Sequence, residues 1–366
     1  MLHHYMVPFR LIDLLAPATA FVASACVTPW VRSLAHATGY IDQPSSRKVH
    51  HHPKPLLGGV AVCVGVAAGV AVGILRFRIG GSPVDAGLGN LPVGRVLVAF
   101  ALGLLIAFVL GLIDDRRGMH PGVKMIGQSL AALPLLLSGG ALVVPGLPGV
   151  GFVLSLLWII TVMNAANFLD NMDGVLSGVG AIAALGLAVL AVWAGEPVVR
   201  LLSLALLGSC AGFLLHNFPP ASIFLGDAGS LVVGFSLAAS SLLLARASQH
   251  WTGWVAPALV VGYLLFDITF VTIVRMSEGR KVYLGGTDHS SHRLRHILGS
   301  PRRAALGVYG LAGASVVIGL TARHVTPGPL ALGLAGAAAV VFAILGGMLV
   351  RFAPTTVKPA TPPPRS

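Results

Sequence analysis

The chain has 366 residues, of which 55% are hydrophobic and only 10% are charged, and its mean hydropathy is +0.87. This composition excludes a soluble multidomain protein, because runs of about 20 apolar residues match the thickness of a bilayer core. The 24 lysine and arginine residues outnumber the 12 acidic residues. They lie mainly between the apolar runs, so the excess indicates membrane topology and anionic ligands, with no nucleic-acid partner.

The apolar segments follow one another along the chain and predict an all-α, polytopic transmembrane helical bundle. Helices are required because a lipid-embedded backbone has no water to bond, and the sequence lacks the alternating pattern of a membrane β-barrel. The predicted spans, about eleven, are 11–31, 57–77, 93–113, 123–138, 150–166, 175–195, 199–216, 229–247, 253–275, 304–322 and 329–350. We expect one integral membrane domain over 1–353, no cleavable signal peptide, and a disordered proline-rich tail over 354–366.

Basic residues are distributed unequally between the two sets of connections. Most of the 24 lysines and arginines lie in the tail and in the connections 31–56, 114–124, 164–174, 217–228 and 275–303. The positive-inside rule places this set in the cytoplasm, with the amino terminus outside and the carboxyl terminus cytoplasmic. The same connections contain the aspartates at 42, 114, 115, 170, 173, 227 and 288. The sequence therefore predicts that the chemistry faces the cytoplasm.

The first of these connections reads D-Q-P-S-S-R-K-V-H-H-H-P-K-P-L-L-G-G and places Arg47, Lys48 and His50 near a glycine pair. Cations beside glycine suit a phosphate-bearing ligand, because side-chain and backbone donors can both approach it. A basic topology signal is the alternative. The three consecutive histidines also suggest a metal site, but consecutive imidazoles do not easily converge on one ion.

The second connection opens with adjacent aspartates, Asp114 and Asp115, and continues to Lys124. Adjacent carboxylates raise each other's proton affinity, so one of them could act as a general base or bind a cation. The alternative is a solvated loop whose acids pair with Arg116 and Arg117.

The third connection, N-A-A-N-F-L-D-N-M-D-G over 164–174, puts two carboxylates and three carboxamides directly after an apolar run. Acids at the mouth of a membrane span indicate a functional site. In a helix, Asn164, Asn167 and Asp170 would lie near one face. Their oxygen atoms suit Mg²⁺ when phosphates and water complete the octahedron. A calcium loop is a competing interpretation, but no glutamate follows Gly174 at the required distance.

The last two connections add an acid between glycines and a cluster of histidines. Asp227 in G-D-A-G stands where a helix begins, so it either leaves room for a ligand or caps the helix. The segment D-H-S-S-H-R-L-R-H contains His289, His292 and Arg293. A zinc site would need further ligands, so recognition of a diphosphate fits this segment better.

Together, these segments resemble a known family. D-x-P-x-x-R-K-x-H, D-D-R, N-x-x-N-x-x-D-N-x-D-G, F-L-G-D-x-G and D-H-x-x-H-R-L, in this order over about 42–300, are similar to the motifs of the polyprenyl-phosphate N-acetylhexosamine-1-phosphate transferase superfamily. That superfamily includes bacterial undecaprenyl-phosphate GlcNAc-1-phosphate transferases and phospho-MurNAc-pentapeptide transferases. The resemblance implies transfer of an amino-sugar 1-phosphate from a UDP-amino sugar to a polyprenyl phosphate lipid, with release of UMP. It also implies a bacterial plasma membrane protein that uses Mg²⁺, or Mn²⁺ as a substitute, and is compatible with a homodimer.

The resemblance also implies a role for each motif residue. Asp227 and Asn167 would hold Mg²⁺, and Asp114 would deprotonate or orient the lipid phosphate with support from Asp115. Whether Asp114 acts as a base or as a covalent nucleophile stays open. The residues expected to bind substrate are Asp170, Asp173, Asn171, Arg47, Lys48, His50, Lys124, His289, His292 and Arg293.

Two departures from the family patterns bear on the substrate. Ser291 stands where many GlcNAc-1-phosphate transferases have histidine in H-I-H-H, which predicts a different grip on the diphosphate. R-K-x-H in place of the pentapeptide enzymes' G-T-P-T-M-G-G favours a GlcNAc-type sugar over the phospho-MurNAc-pentapeptide alternative. Two other classes remain: a cation-coupled transporter, for which Asp267 is the candidate acid within a span, and a non-catalytic lipid-binding scaffold. Both predict no release of UMP.

Overall fold

The computed structural model describes residues 11–42, 53–79, 91–248, 252–283, 286–325 and 328–353. Helices dominate these residues. The α-helices are α1 (Leu15–Thr38), α2 (Gly58–Ile79), α3 (Val93–Arg117), α4 (Pro121–Leu135), α5 (Pro148–Leu169), α6 (Val175–Ala194), α7 (Pro197–Asn217), α8 (Gly226–Ala247), α9 (Val255–Val260), α10 (Gly262–Ser277), α11 (Ser290–Leu298), α12 (Pro301–Val325) and α13 (Pro329–Phe352). A 3-10 turn (Leu11–Leu14) precedes α1, and a π turn (Leu136–Gly140) follows α4.

Eight helices in the described part of the chain are long and apolar enough to cross a membrane: α2, α3, α5, α6, α7, α8, α12 and α13. The protein is therefore a multi-pass helical membrane protein. Each predicted apolar segment coincides with a helix or a broken helix, and the three segments beyond these eight correspond to α1, to α4 with its π turn, and to α9 with α10. The number of crossings and the orientation of the termini stay predictions.

One predicted segment is interrupted. The sequence predicts a single span over 253–275, but the structure divides it into α9 and α10 at Val261. The hydroxyl of Ser315 in α12 donates to the carbonyl oxygen of Leu259 at 2.6 Å, and that oxygen would otherwise accept the backbone N–H of Tyr263. A side chain inserted into the helical hydrogen-bond ladder breaks it locally. The predicted span is therefore helical but interrupted at Val261, for a reason that lies on another element.

Helix α8 lies at the centre of the bundle. Within the membrane-length stretch of α8, 94% of the residues are buried. The helix packs against α2, α3, α5, α6 and α7. Small residues permit these close contacts: a Cβ atom on Gly59 of α2 would lie 2.2 Å from the backbone nitrogen of Gly229, and one on Gly111 of α3 would lie 2.3 Å from the Cα of Ala228. The amino-terminal end of α8 is thus enclosed by two neighbouring helices.

A short antiparallel ribbon fixes the entry to α2. Strands β1 (Ile41–Asp42) and β2 (Lys54–Pro55) pair and hold the two ends of the first connection together. The backbone N–H groups of Gly58 and Gly59 then donate to the carbonyl oxygens of Phe224 and Leu225 at 3.0 and 2.8 Å. These bonds place the first connection beside the start of α8.

Candidate active site

The adjacent aspartates at the end of α3 have different partners. The carboxylate of Asp115 accepts the backbone N–H groups of Asp227 and Ala228, at 2.7 and 3.0 Å. The first N–H groups of a helix have no partner within the helix, so Asp115 caps α8 from a neighbouring helix. Asp114 accepts the backbone N–H of Met119 at 2.6 Å through one oxygen, and its other oxygen contacts Lys124 at 2.6 Å.

The start of α8 reaches Asp115 because position 226 is glycine. Gly226 has φ +75°, and a Cβ atom there would lie 2.8 Å from Oδ2 of Asp115 and 2.9 Å from the carbonyl oxygen of Leu56. Residues with a side chain rarely adopt this backbone conformation, whereas glycine does so without a steric penalty. The glycine in G-D-A-G therefore permits the contact between α3 and α8 that positions Asp227.

Four side chains from four helices meet beside this cap, and we call Asp114, Lys124, Asn167 and Asp227 the polar cluster. The ammonium of Lys124 contacts Oδ2 of Asp114 at 2.6 Å, Oδ1 of Asn167 at 3.0 Å and Oδ2 of Asp227 at 3.1 Å. Asn167 donates through Nδ2 to Asp227 at 2.5 Å and to Ser230 at 2.9 Å. The Asp227 side chain is 33% exposed, against 13% for Lys124 and 8% for Asp114. Among these three side chains, that of Asp227 is therefore the most open to solvent.

The oxygen atoms of the polar cluster fit the expected magnesium ion. Two carboxylates and one carboxamide oxygen converge on one point, which a cation already occupies in the form of the Lys124 ammonium. Hard oxygen ligands of this kind suit Mg²⁺. Within the described ranges, no group of three or more histidine, cysteine or acidic residues forms a complete metal cage. Water and substrate phosphates would have to complete the coordination, as is usual for Mg²⁺.

The rest of the 164–174 segment faces neighbouring loops. Asp170, directly after α5, accepts the backbone N–H of Gly226. Burial, and then the negative charges of Asp227 and Asp115, raise the pKa of Asp170 well above its usual range. Asp173 accepts the backbone N–H of Ala221 at 2.8 Å and lies 3.6 Å from the ammonium of Lys54. These two acids thus connect α5 to both flanks of the segment that leads into α8.

The last motif docks on the end of α5 through two contacts, and a bond within the third motif positions Asn171. Ser291 donates to Oδ1 of Asn171 at 2.5 Å, and the Nδ2 of Asn171 donates to the carbonyl oxygen of Phe168 at 2.9 Å. The rings of His289 and Phe168 pack edge to face with centroids 6.1 Å apart. The serine that replaces the family's histidine therefore connects the last motif to the third.

His289 is held by an acid that sequence reasoning had noted only as a lone residue within a span. Asp267 in α10 is fully buried, and its Oδ2 lies 2.8 Å from Nδ1 of His289. Its Oδ1 accepts from the backbone N–H of Ser290 at 2.9 Å and from the Ser290 hydroxyl at 2.5 Å. Asp267 consequently caps α11 and fixes the orientation of His289. The signal in the sequence was the cost of an acid inside an apolar segment, which implies a partner.

His292 lies one turn further along α11. Its ring centroid is 6.2 Å from that of His289. Burial, followed by the positive charges of His289 and Arg295, lowers the pKa of His292 to about 4. With this lowered pKa, His292 is neutral at physiological pH and can contribute hydrogen bonds but no positive charge.

The structure gives Arg293 different partners from those expected. Its guanidinium is buried, lies 5.3 Å above the Phe270 ring and donates to the carbonyl oxygens of Leu349 and Ala353 at 3.3 and 2.6 Å. These carbonyls end α13, where basic side chains commonly satisfy unpaired oxygens. These contacts use Nη1 of the guanidinium, and the role of Arg293 in gripping a diphosphate stays a prediction.

A second buried acid anchors the segment before α11. Asp288 accepts from Arg275 at 3.0 Å and from Arg280 at 2.7 and 3.0 Å. Burial alone would raise the pKa of Asp288, but hydrogen bonds from Arg280 and Arg275 outweigh burial and lower it. Sequence reasoning named Asp288 only as a neighbour of the histidines. The two arginines give it a structural role.

Three of the predicted phosphate ligands, Arg47, Lys48 and His50, lie outside the described residues. The described end of their connection does reach the site. The Lys54 ammonium donates to the carbonyl oxygen of Ala221 at 2.7 Å and lies 5.1 Å from the centroid of the Phe224 ring. The first connection therefore joins the segment that leads into α8.

Comparisons with known proteins place these motifs in a family. Residues 97–245, which include the second, third and fourth motifs, match the model of glycosyl transferase family 4. A Bacillus subtilis protein named as a probable undecaprenyl-phosphate N-acetylglucosaminyl 1-phosphate transferase is 33% identical over 293 residues, covering 77% of each chain.

Two further relatives differ in the substrate that their names state. The decaprenyl-phosphate N-acetylglucosaminephosphotransferase of Mycolicibacterium smegmatis is 35% identical over 333 residues, covering 83% of this chain and 80% of the relative. The phospho-N-acetylmuramoyl-pentapeptide-transferase of a Synechococcus strain is 31% identical over 342 residues, covering 84% and 87%. The similarity extends well beyond the segment matched by the family model.

Proposed function

This chain belongs to glycosyl transferase family 4 and is a membrane-bound polyprenyl-phosphate sugar-1-phosphate transferase, and we propose that it transfers N-acetylglucosamine 1-phosphate from UDP-N-acetylglucosamine to undecaprenyl phosphate. An oxygen of the lipid phosphate forms a bond to the β-phosphorus of the nucleotide sugar. The bond from that phosphorus to the bridging oxygen breaks, and its electron pair leaves with UMP. The product is a lipid-diphosphate-linked sugar, the first membrane intermediate of a cell-surface polysaccharide.

The observation that carries this proposal is the polar cluster. Residues up to 113 positions apart in the sequence, Asp114 and Asp227 among them, meet at hydrogen-bonding distance of one ammonium. Phosphoryl transfer needs little covalent chemistry from the protein, so positioning and neutralisation of charge dominate its catalysis. A cluster that already binds a cation between carboxylates, open on the Asp227 side, supports that kind of catalysis.

The family resemblance implies roles for three residues of the cluster and for the neighbouring Asp115. Asp227 and Asn167 would hold Mg²⁺, which when bound supplies the positive charge that neutralises the diphosphate. Asp114 would orient the lipid phosphate or accept its proton, because one of its oxygens is fixed by Met119 and the other faces the cluster. Asp115 would hold α8, and with it Asp227, in place.

The proposed sugar rests on the first connection, because the relatives are named for different sugars. Relatives named for N-acetylglucosamine and for phospho-N-acetylmuramoyl-pentapeptide both match over most of the chain. R-K-x-H in the first connection supports N-acetylglucosamine. We further propose that the enzyme lies in the bacterial plasma membrane with the polar cluster facing the cytoplasm, as the distribution of basic residues predicts.

The test is release of UMP by the purified protein in lipid nanodiscs. The assay combines Mg²⁺, undecaprenyl or decaprenyl phosphate, and UDP-N-acetylglucosamine, UDP-N-acetylgalactosamine or UDP-N-acetylmuramoyl-pentapeptide. We expect UMP with UDP-N-acetylglucosamine, only when a lipid phosphate is present. Release with the pentapeptide substrate alone would indicate a phospho-MurNAc-pentapeptide transferase instead. No UMP from any pair would contradict the proposal.

A further inference from the structure

Lys124 in the polar cluster occupies a position whose three oxygen neighbours would also suit a metal ion. Its ammonium has three donors, and it has three oxygen neighbours from three other helices: Asp114 in α3, Asn167 in α5 and Asp227 in α8. Only 13% of the Lys124 side chain is exposed. An ammonium this buried is stable only when its charge and donors are compensated, and these three contacts provide that compensation.

The same oxygens are needed by the cation that the proposed function requires. Mg²⁺ binds oxygens at about 2.0–2.1 Å, whereas the ammonium lies 2.6–3.1 Å from these three atoms. An ion bound to the same oxygens of Asp227 and Asn167 would lie close to the Lys124 ammonium, and two cations repel each other at short range. An ion coordinated by Asp227 and Asn167 therefore requires Lys124 to leave them.

The charges of the cluster explain why a lysine belongs there before the metal arrives. Asp115 is compensated by the backbone N–H groups of α8, but Asp114 and Asp227 converge on the ammonium. Without a cation, two carboxylates would face each other in a half-buried site, which is unfavourable. The ammonium removes this repulsion and holds α3, α5 and α8 together.

We propose that Lys124 is an exchangeable occupant of the divalent-cation position: it holds Asp114, Asn167 and Asp227 together while no metal is bound, and Mg²⁺ displaces it. This inference rests on the proposed function, since that function supplies the need for the ion. Lys124 consequently lowers the affinity for the metal and stabilises the metal-free enzyme.

The test measures metal binding without substrate. Full-length wild type, Lys124→Met and the control Lys281→Met are purified in detergent, and bound Mn²⁺ is measured by electron paramagnetic resonance. Lys281 is exposed and lies 5.9 Å from the centroid of the Tyr283 ring, so its loss removes one positive charge away from the cluster. We expect the Kd for Mn²⁺ to fall about tenfold or more in Lys124→Met, which corresponds to at least about 1.4 kcal/mol of binding free energy. In Lys281→Met the Kd should stay at the wild-type value.

Two further measurements locate the effect. Adding Asp227→Asn to Lys124→Met should abolish the tighter binding. Without divalent ions, Lys124→Met should unfold at a lower temperature than wild type, and Mg²⁺ should raise its unfolding temperature by more than it raises that of wild type. If Lys124→Met does not fold, Lys124→Arg keeps the charge and should bind Mn²⁺ no more tightly than wild type; tighter binding by Lys124→Arg would overturn the proposal.

Equal or weaker Mn²⁺ binding by folded Lys124→Met would also overturn it, and so would tighter binding that survives Asp227→Asn. These outcomes are separable from the proposed function. The wild-type preparation is assayed in parallel for UMP release, so unchanged Mn²⁺ affinity with normal UMP release rejects only the exchange. Absence of UMP release rejects the function regardless of the binding result.

Discussion

At the residue scale, Asp114 and Asp115 are neighbours in the chain with separate tasks. Both oxygens of Asp115 accept backbone N–H groups of α8, whereas one oxygen of Asp114 contacts Lys124 in the polar cluster. Two adjacent carboxylates on a helix project about 100° apart, so one can face a neighbouring helix and the other a cleft. The D-D pair at the end of this span thus combines a structural anchor with a carboxylate that contacts Lys124.

Asp267 and His289 form a second hydrogen-bonded pair at this scale. Because Asp267 fixes His289 and caps α11, we expect Asp267→Asn and His289→Gln each to reduce kcat/KM for UMP formation. Their effects should overlap, with a coupling of about 1–3 kcal/mol in a double-mutant cycle. The cycle is measured by UMP release, with Asp267→Glu tested for partial rescue. Additive losses would show that the two residues act independently, as an acid in a transport path would.

His292 predicts a dependence of stability on pH. Its pKa is about 4 in the folded protein and about 6.5 when unfolded, so the unfolded state binds more protons between these values. The stability linked to neutral His292 is fully present above about pH 6.5 and decreases as the pH falls towards 4, by up to about 3 kcal/mol.

The prediction is checked by thermal unfolding between pH 7 and 4.5. His292→Gln should lose less stability than wild type over this range, since glutamine takes up no proton. His296→Gln, at an exposed position on the same helix, is the matched control and should behave as wild type. Identical pH profiles for His292→Gln and wild type would contradict the assignment.

At the scale of elements, hydrogen bonds at the start of α8 hold the site together. The first connection bonds to the backbone of Phe224 and Leu225 just before α8, while α3 and the residue after α5 accept the first backbone N–H groups of α8. Unpaired N–H groups at a helix start attract carboxylates, which explains why acids from two other motifs gather there. The site is built around the amino terminus of α8, whose first N–H groups donate to Asp115 and Asp170.

Gly226→Ala tests the contacts at the start of α8. Alanine would be strained at φ +75° and would also crowd Asp115 and Leu56. Gly299→Ala is the matched control, because Gly299 has φ +69° with no atom within 4 Å of the added Cβ. Each should lose about 1 kcal/mol of unfolding free energy from the backbone, but Gly226→Ala should lose more and should also lose UMP formation. Equal effects of the two changes would show that the contact with Asp115 is unimportant.

At the scale of the whole molecule, hydropathy and motif order predict a large part of the architecture. The apolar segments coincide with helices, and the second, third and fourth motifs do meet. Both follow from rules that act along the chain, namely the length of a bilayer span and the alternation of connections between two sides.

Features that depend on a partner in another part of the chain escaped prediction. The break at Val261 depends on Ser315, the direction of Arg293 depends on the end of α13, and the role of Asp267 depends on His289. In each case the residue type indicates a need for a partner, but the partner lies 22 or more residues away. Only the packed structure identifies it.

The central claim, that the polar cluster carries sugar-1-phosphate transfer, is tested most directly by UMP release from variants of equal fold. Asp227→Ala and Asp114→Asn are compared with Glu278→Gln, which removes an exposed acid at the end of α10. With undecaprenyl phosphate, Mg²⁺ and UDP-N-acetylglucosamine, we predict a decrease in kcat of at least about 100-fold for both cluster variants and a value near wild type for Glu278→Gln. Undiminished UMP release by either folded cluster variant would contradict the account.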